Sequence, residues 1–285
     1  HGIPFSVCDA RLESELPEKH KWNHIVDNWH FGTTYLDHLD NFDVAFRTPG
    51  INAQHPRLID AQVRGVSIQS QTRFFFKHCP SPIVGITGTK GKGTTCSLLF
   101  ELLREGPYEK VWLGGNIGRP PVEFLDDLEI SDLVILELSS FQLQDLDRSP
   151  HVSVVLNVTS DHLDYHGIRR DYVEAKKSIC RFQRKTDKLI VNADCQTATQ
   201  FRSVARSCIM EFSSHRDVPV GAFCADGSLW VRELSGNNTE ICKIENLSLR
   251  GEHNVANALA AVAAAVAVGA DGEQLTRSLG TFSGL

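Results

Sequence analysis

The stretch GITGTKGKGTT, residues 85–95, decides the fold. Apolar residues 82–87 (PIVGIT) read as a strand, GTKGKG as a glycine turn, and TTCSLLFELLREG (94–106) as a helix. Leu98, Leu99, Leu102 and Leu103 recur in that last segment at helical spacing. Strand, glycine turn and helix in this order form a phosphate cradle. Backbone N–H groups of residues 88–93 face the phosphate oxygens, and the helix N-terminus reinforces them. The bland alternative is a glycine turn beside a solvated lysine; the agreement of all three elements favours the cradle. The usual loop is G-x-x-x-x-G-K-[ST]. Here Ile86 replaces its first glycine and Gly93 follows Lys92. Magnesium needs hard oxygen ligands and Gly93 has no side chain, so Thr94 is the first candidate ligand and Thr95 the second. The ATP-binding set expected from the loop is Gly88, Thr89, Lys90, Gly91, Lys92, Gly93, Thr94 and Thr95, with Lys92 reaching the β- and γ-phosphates.

Working outward, near-continuous Val, Ile and Leu predict strands buried on both faces at 110–115, 132–139, 152–158 and 188–193. Asp-Gly inside CADGSLWVRE (224–233) predicts a hairpin. Helices are expected at 171–182, 252–268 and 272–279. Upstream, 3–10, 42–50 and 65–70 read as strands, with a helix at 56–65 between Pro and Gly. Strands alternating with helices mean a mostly parallel α/β sheet. KHCPSP (77–82) reads as a linker, which gives domains 1–80 and 81–285. In a doubly wound domain the central strand comes first in sequence; the first domain is expected to lack it.

The chain has 285 residues, 41% hydrophobic and 22% charged, which suits a globular protein of one large or two medium domains. A net charge of −6 gives no basic nucleic-acid face, and no run of about 18 apolar residues predicts a membrane span. The eight cysteines contain no C-x-x-C pair and read as reduced, mostly buried thiols of a cytoplasmic protein.

Three further segments carry chemistry. Glu137 in LELSSFQL (136–143) ends a buried strand, where open α/β sheets place ligands. A carboxylate there needs a partner or a metal; an exposed strand-end acid is the simpler reading. NVTSDHLDYHG (157–167) gathers Asp161, His162, Asp164 and His166 past another strand end. It is either a polar loop or, beside a phosphate loop, a metal site using His162. Lys176 and Lys177 read as a solvated face of the 171–182 helix. Asn254 and Asn257, i and i+3 in GEHNVANALAA (251–261), share a face for capping or for adenine or ribose contact.

GITGTKGKGTT, GGNIG, ELSSFQL, LNVTSDHLDYHG, EAKKSI and GEHNVANALAA together, in this order, resemble the Mur ligase family. ELSSFQL with GGNIG is most similar to the branch that joins D-glutamate to UDP-N-acetylmuramoyl-L-alanine. DAR (9–11) and TPGINAQHP (48–56) resemble that branch's uridine-nucleotide domain. The resemblance implies a Rossmann-like first domain followed by an ATP-binding domain with a P-loop, and a family C-terminal domain absent from this chain. It implies ATP and Mg2+ as cofactors, the two named substrates, a cytoplasmic monomer, and no nucleic-acid or membrane partner. Lys92, His162 and Lys176 take the catalytic positions. Thr94, Glu137, His162 and Lys176, if carbamylated, take the metal positions. Asn254 and Asn257 lie on the nucleotide side, and Arg11, Thr48, Pro49, Gly50, Asn116 and His162 on the substrate side. G-K-G-[ST] is similar to folylpolyglutamate synthases and DHLDYHG to the diamino-acid-adding branch. A non-catalytic nucleotide-binding module is the alternative from another class. Without the C-terminal domain, the 285-residue chain is not expected to turn over.

Overall fold

In the computed structural model, residues 2–159, 169–248 and 250–281 are described. The chain divides into two compact units, His1–Gln71 and Thr72–Leu285. The division falls ahead of the expected junction at residue 80. Helix α2 (Gln71–His78) runs into the start of the supposed linker and buries Phe75 and Phe76 in the second unit's core.

The first unit holds two separate pairs of parallel strands: β1 (Ser6–Asp9) with β2 (Asn28–Phe31), and β3 (Val44–Arg47) with β4 (Ser67–Ser70). Helix α1 (Pro56–Val63) starts on proline as expected and buries Leu58 and Ala61 in a small core with Leu36, Leu39 and Val66. A cavity of about 610 Å³ is lined by β1, by β3 and by Tyr35 and Leu36. The sequence does not reveal β2, whose NWHF mixes histidine and tryptophan with no alternation.

The second unit is a nine-stranded sheet. Its strands are β5 (Ile83–Thr87), β6 (Val111–Gly115), β7 (Leu133–Glu137), β8 (Val152–Val155), β9 (Lys188–Asn192), β10 (Cys208–Ser213), β11 (Gly221–Ala225), β12 (Ser228–Arg232) and β13 (Asn238–Lys243). They lie in the order β13-β12-β11-β10-β9-β8-β5-β7-β6, parallel from β6 to β11 and antiparallel beyond. Alternate residues serve opposite faces, as the two-residue strand period requires. Ile86, Leu133 and Ile135 join one core; Ile83, Val134 and Leu136 join the other. The first core is covered by α3 (Lys92–Leu103), α7 (Glu252–Ala267) and α8 (Gly272–Thr281). The second is covered by α2, α4 (Ser140–Leu143), α5 (Arg169–Arg181) and α6 (Gln196–Thr199). Burial on both faces is why these strands read as unbroken apolar runs. The Asp-Gly hairpin is present: Asp226 and Gly227 take φ of 49° and 75° between antiparallel β11 and β12, as a two-residue loop requires.

After β5 the chain builds β6 and β7 on one side, then crosses to build β8 on the other. The switch point between β5 and β8 is where an open α/β sheet offers a crevice at its carboxyl ends. The 88–91 loop leaves β5 at that point.

Candidate active site

The loop is fastened on three sides. Thr87, fully buried, donates its hydroxyl to Leu138 O at 2.8 Å. The Thr89 amide donates to Asn157 O at 2.7 Å, and Thr159 N–H donates to Thr89 Oγ1 at 2.9 Å. The Thr89 amide is therefore spent on the strand-end segment after β8, so it is not among the loop amides open to a phosphate. Gly91 caps α3 at φ 85° with no side-chain cap. A methyl group on it would stand 2.3 Å from Asn257 Oδ1, so glycine is required both by conformation and by the approach of α7. Lys92 Nζ donates to Thr89 O at 3.1 Å, folding the lysine back along the loop.

Of the two threonine candidates, Thr95 is fully buried and its hydroxyl donates to Asn257 Oδ1 at 3.4 Å. Thr94 is half-buried at the surface of the first turn. Asn257 Nδ2 in turn donates to Asn254 Oδ1 at 3.3 Å, and Asn254 Nδ2 to Arg250 O at 2.9 Å. The expected i, i+3 face exists, and it latches α7 to the loop. Lys90, Asn157, Asn192, His253 and Asn257 border a cavity of about 130 Å³ beside this latch.

Glu137 ends β7 at 5% exposure, so the simple exposed-acid reading does not hold. Its Oε1 accepts from Asn116 Nδ2 at 3.3 Å. Its Oε2 faces the loop: a methyl on Gly93 would stand 3.4 Å away. The carboxylate is felt within the helix start. Burial first, and then the Glu137 charge, push the Cys96 thiol well above its ordinary value, while Lys92 opposes them.

Lys176 corrects the helical-face reading. It is 1% exposed, not solvated, and its Nζ donates to Thr87 Oγ1 and to Gly88 O, each at 3.2 Å, with the Tyr172 ring 4.6 Å away. Lys177 pairs with Glu174 at 2.6 Å instead. That hydrogen bond, aided by the charges of Lys177 and Arg181, holds the Glu174 carboxyl below its usual range.

His162, with Asp161, Asp164 and His166, lies outside the described residues. Among the described residues no three His, Cys, Asp or Glu side chains converge. The oxygen donors at the loop, Thr94 and Glu137, are hard ligands. They fit an Mg2+ that keeps waters and shares phosphate oxygens, which is how Mg2+ is usually held.

The remaining expected residues lie in the first unit, apart from Asn116. Arg11 is exposed and pairs with Asp9 at 2.8 Å; that hydrogen bond pulls the Asp9 carboxyl down. Thr48 O accepts from Ile51 N at 3.1 Å, forming the turn that carries Pro49 and Gly50. Arg47, 3% exposed, clasps this turn by donating to Thr48 O at 3.3 Å and Ile51 O at 2.5 Å. Sequence reasoning missed Arg47, Asn157 and Thr87. Only Asn157, polar at the end of an apolar strand, carried a signal.

Residues 86–265 match the family model described as Mur ligase middle domain. A UDP-N-acetylmuramoylalanine–D-glutamate ligase of Acetivibrio thermocellus is 39% identical over 277 residues, covering 97% of this chain and 58% of that protein. One of Ruminiclostridium cellulolyticum is 34% identical, covering 100% of this chain and 61% of that protein. The chain thus spans about three-fifths of these relatives' length. Among solved structures, a UDP-N-acetylmuramate:L-alanyl-gamma-D-glutamyl-meso-diaminopimelate ligase from Neisseria meningitides superposes with a TM-score of 0.61. It shares 20% identity and covers 97% of this chain and 90% of that one. MurF from Acinetobacter baumannii gives 0.58 at 19% identity, covering 86% and 62%. At these identities the structures speak to the fold: an α/β architecture with a large, mostly parallel sheet.

Proposed function

The chain belongs to the Mur ligase family, and on that premise we propose that it serves an ATP-dependent amide ligase. The ligase joins D-glutamate to UDP-N-acetylmuramoyl-L-alanine, in the cytoplasm, during peptidoglycan precursor synthesis. The names of the curated relatives support the substrates. The ADP complex named for a MurF ligase of Thermotoga maritima, with a TM-score of 0.51, supports the nucleotide. The observation that carries the reading is the loop itself: a glycine cradle at the switch point, with buried Glu137 on one side and the Asn257 latch on the other.

In this reading the terminal phosphoryl group of ATP passes to the alanyl carboxylate. The amine of D-glutamate then attacks the acyl phosphate, the C–N bond forms, and phosphate leaves. Lys92 holds the phosphates, turning its ammonium from Thr89 O toward them. Free amides of the loop and the α3 N-terminus bind the same oxygens. Thr94 and Glu137 hold Mg2+, which when bound offsets the repulsion between ATP and a carboxylate substrate. His162 is proposed for a second ion. Buried Lys176 is proposed to become a carbamate: its ammonium first sheds a proton, the amine nitrogen then bonds the carbon of CO2, and a second proton departs, turning a cation into a ligand anion. Asn254 and Asn257 bound the nucleotide's base side, beside the 130 Å³ cavity. Arg11 and the Thr48, Pro49, Gly50 turn serve the uridine diphosphate. The catalytic effect expected of the site is positioning and charge compensation, as in phosphoryl transfer generally.

Isothermal titration with a non-hydrolysable ATP analogue plus Mg2+, and separately with UDP-N-acetylmuramoyl-L-alanine, tests this. Binding of both is expected. A folded chain that binds neither overturns the reading.

A further inference from the structure

The Asn116 side chain was expected on the substrate side, yet its contact in the structure is the Glu137 carboxylate. β6 and β7 run parallel with Gly115 opposite Glu137. At Gly115 the chain turns through φ 107°, and a Cβ there would fall 2.3 Å from Glu137 O. Only glycine allows this turn at this distance. It lets Asn116 continue the ladder with its own amide, which donates to Glu137 O at 3.0 Å. The side chain then returns over the same residue, and Nδ2 donates to Oε1 at 3.3 Å. Asn116 thus grips Glu137 twice, by main chain and by side chain. With Oε1 engaged, the rotation that remains to the carboxylate is restricted, and Oε2 stays on the side of Gly93.

We propose that Asn116 is a positioning residue: it acts through Glu137, aiming Oε2 at the cation that accompanies the nucleotide on the loop. The inference rests on the proposed nucleotide site. The amide is suited to the task because it donates to a carboxylate without neutralising it. A lysine at this point would compete with the cation for Glu137, and an aspartate would repel it.

The test uses the chain as it is, with Mn2+ as a spectroscopic probe and the ATP analogue AMP-PNP. Asn116→Ala is expected to weaken Mn2+ binding to the AMP-PNP-loaded chain about tenfold, the low end for a hydrogen bond to a charged group. AMP-PNP binding without metal should stay within about twofold, and circular dichroism should report an unchanged fold, since Asn116 is exposed. Glu137→Gln is expected to weaken Mn2+ binding as well. On that background Asn116→Ala should add nothing, because the residue it serves is gone. Equal effects of Asn116→Ala in both backgrounds overturn the inference, as does wild-type Mn2+ affinity in Asn116→Ala. Weakened binding of UDP-N-acetylmuramoyl-L-alanine with unchanged Mn2+ affinity overturns it in favour of direct substrate contact. A wild-type chain that binds no Mn2+ with AMP-PNP overturns the nucleotide site itself, a separate failure.

Discussion

Replacing Gly91 by alanine probes the joint between the phosphate loop and α7. Gly91 sits at φ 85°, and the added methyl would lie 2.3 Å from Asn257 Oδ1 and 3.1 Å from its Cγ. Two costs follow. Left-handed backbone costs a non-glycine residue roughly 1–2 kcal/mol. Moving the Asn257 amide, which is 7% exposed, weakens its bonds to Thr95 and Asn254, each worth about 0.5–1.5 kcal/mol. Restricting the unfolded chain returns about 0.4–1 kcal/mol. The net expectation is about 2–3 kcal/mol. Gly236→Ala isolates the backbone part: Gly236 has φ 89° with nothing within 4 Å of a Cβ, so it incurs the left-handed cost alone. Urea unfolding of both variants, followed by tryptophan fluorescence and circular dichroism, gives the difference. Gly91→Ala should be the less stable of the two by about 1–2 kcal/mol. If it costs no more than Gly236→Ala, the loop and α7 do not meet as described, and the argument for a fixed cradle fails.

Four other outcomes are expected. Thr94→Ala should reduce Mg2+-dependent AMP-PNP affinity in a calorimeter far more than Gly93→Ser, whose added methylene stands 3.4 Å from Glu137 Oε2 without displacing backbone; the reverse order would shift the metal ligand by one residue. Thr95→Val should leave Mg2+ dependence intact and lower stability by about 1 kcal/mol through the lost Asn257 bond. Leu99→Ala, at a position with no exposure, should cost about 2–5 kcal/mol in urea. Burial pushes the Cys180 thiol from its ordinary 9.0 to about 12, so at pH 8 it should react with a thiolate-selective reagent on the order of a thousandfold more slowly than in urea. The native state keeps that proton where the unfolded state sheds it, so stability should fall as pH rises from about 9 toward 12.

The central sheet was legible because burial on both faces writes itself into sequence as apolar runs, and β5 to β9 all carry them. β13 was not: its outer half is exposed and polar, and NTEICK has no alternation to read. Helix α2 lacks cap signals and ends in a segment whose prolines suggested a linker; its place is fixed by Phe75 and Phe76 meeting a core formed by distant sequence. At the site, nothing in the sequence foretells that Asn257 occupies the Thr95 hydroxyl, because the two residues are 162 positions apart. Lys176 was misread because a helical wheel records which residues share a face, not what covers it. The carboxyl end of β5 covers this one, and Thr87 and Gly88 supply its hydrogen-bond acceptors. Arg47 shows the same limit: a cation in an apolar strand gives no hint that carbonyls of the next turn receive it.

The stretch of α7 that packs into the first core is almost all alanine, buried from Ala258 to Ala265 apart from Leu259 and Val262, which are equally buried. Alanine has no side-chain rotamers to lose. Behind the Asn257 latch, then, stands a core that gave up little side-chain entropy when the chain folded. The side chains that keep conformations to choose among lie on the loop and at the exposed start of α7, at Lys90, Lys92 and His253.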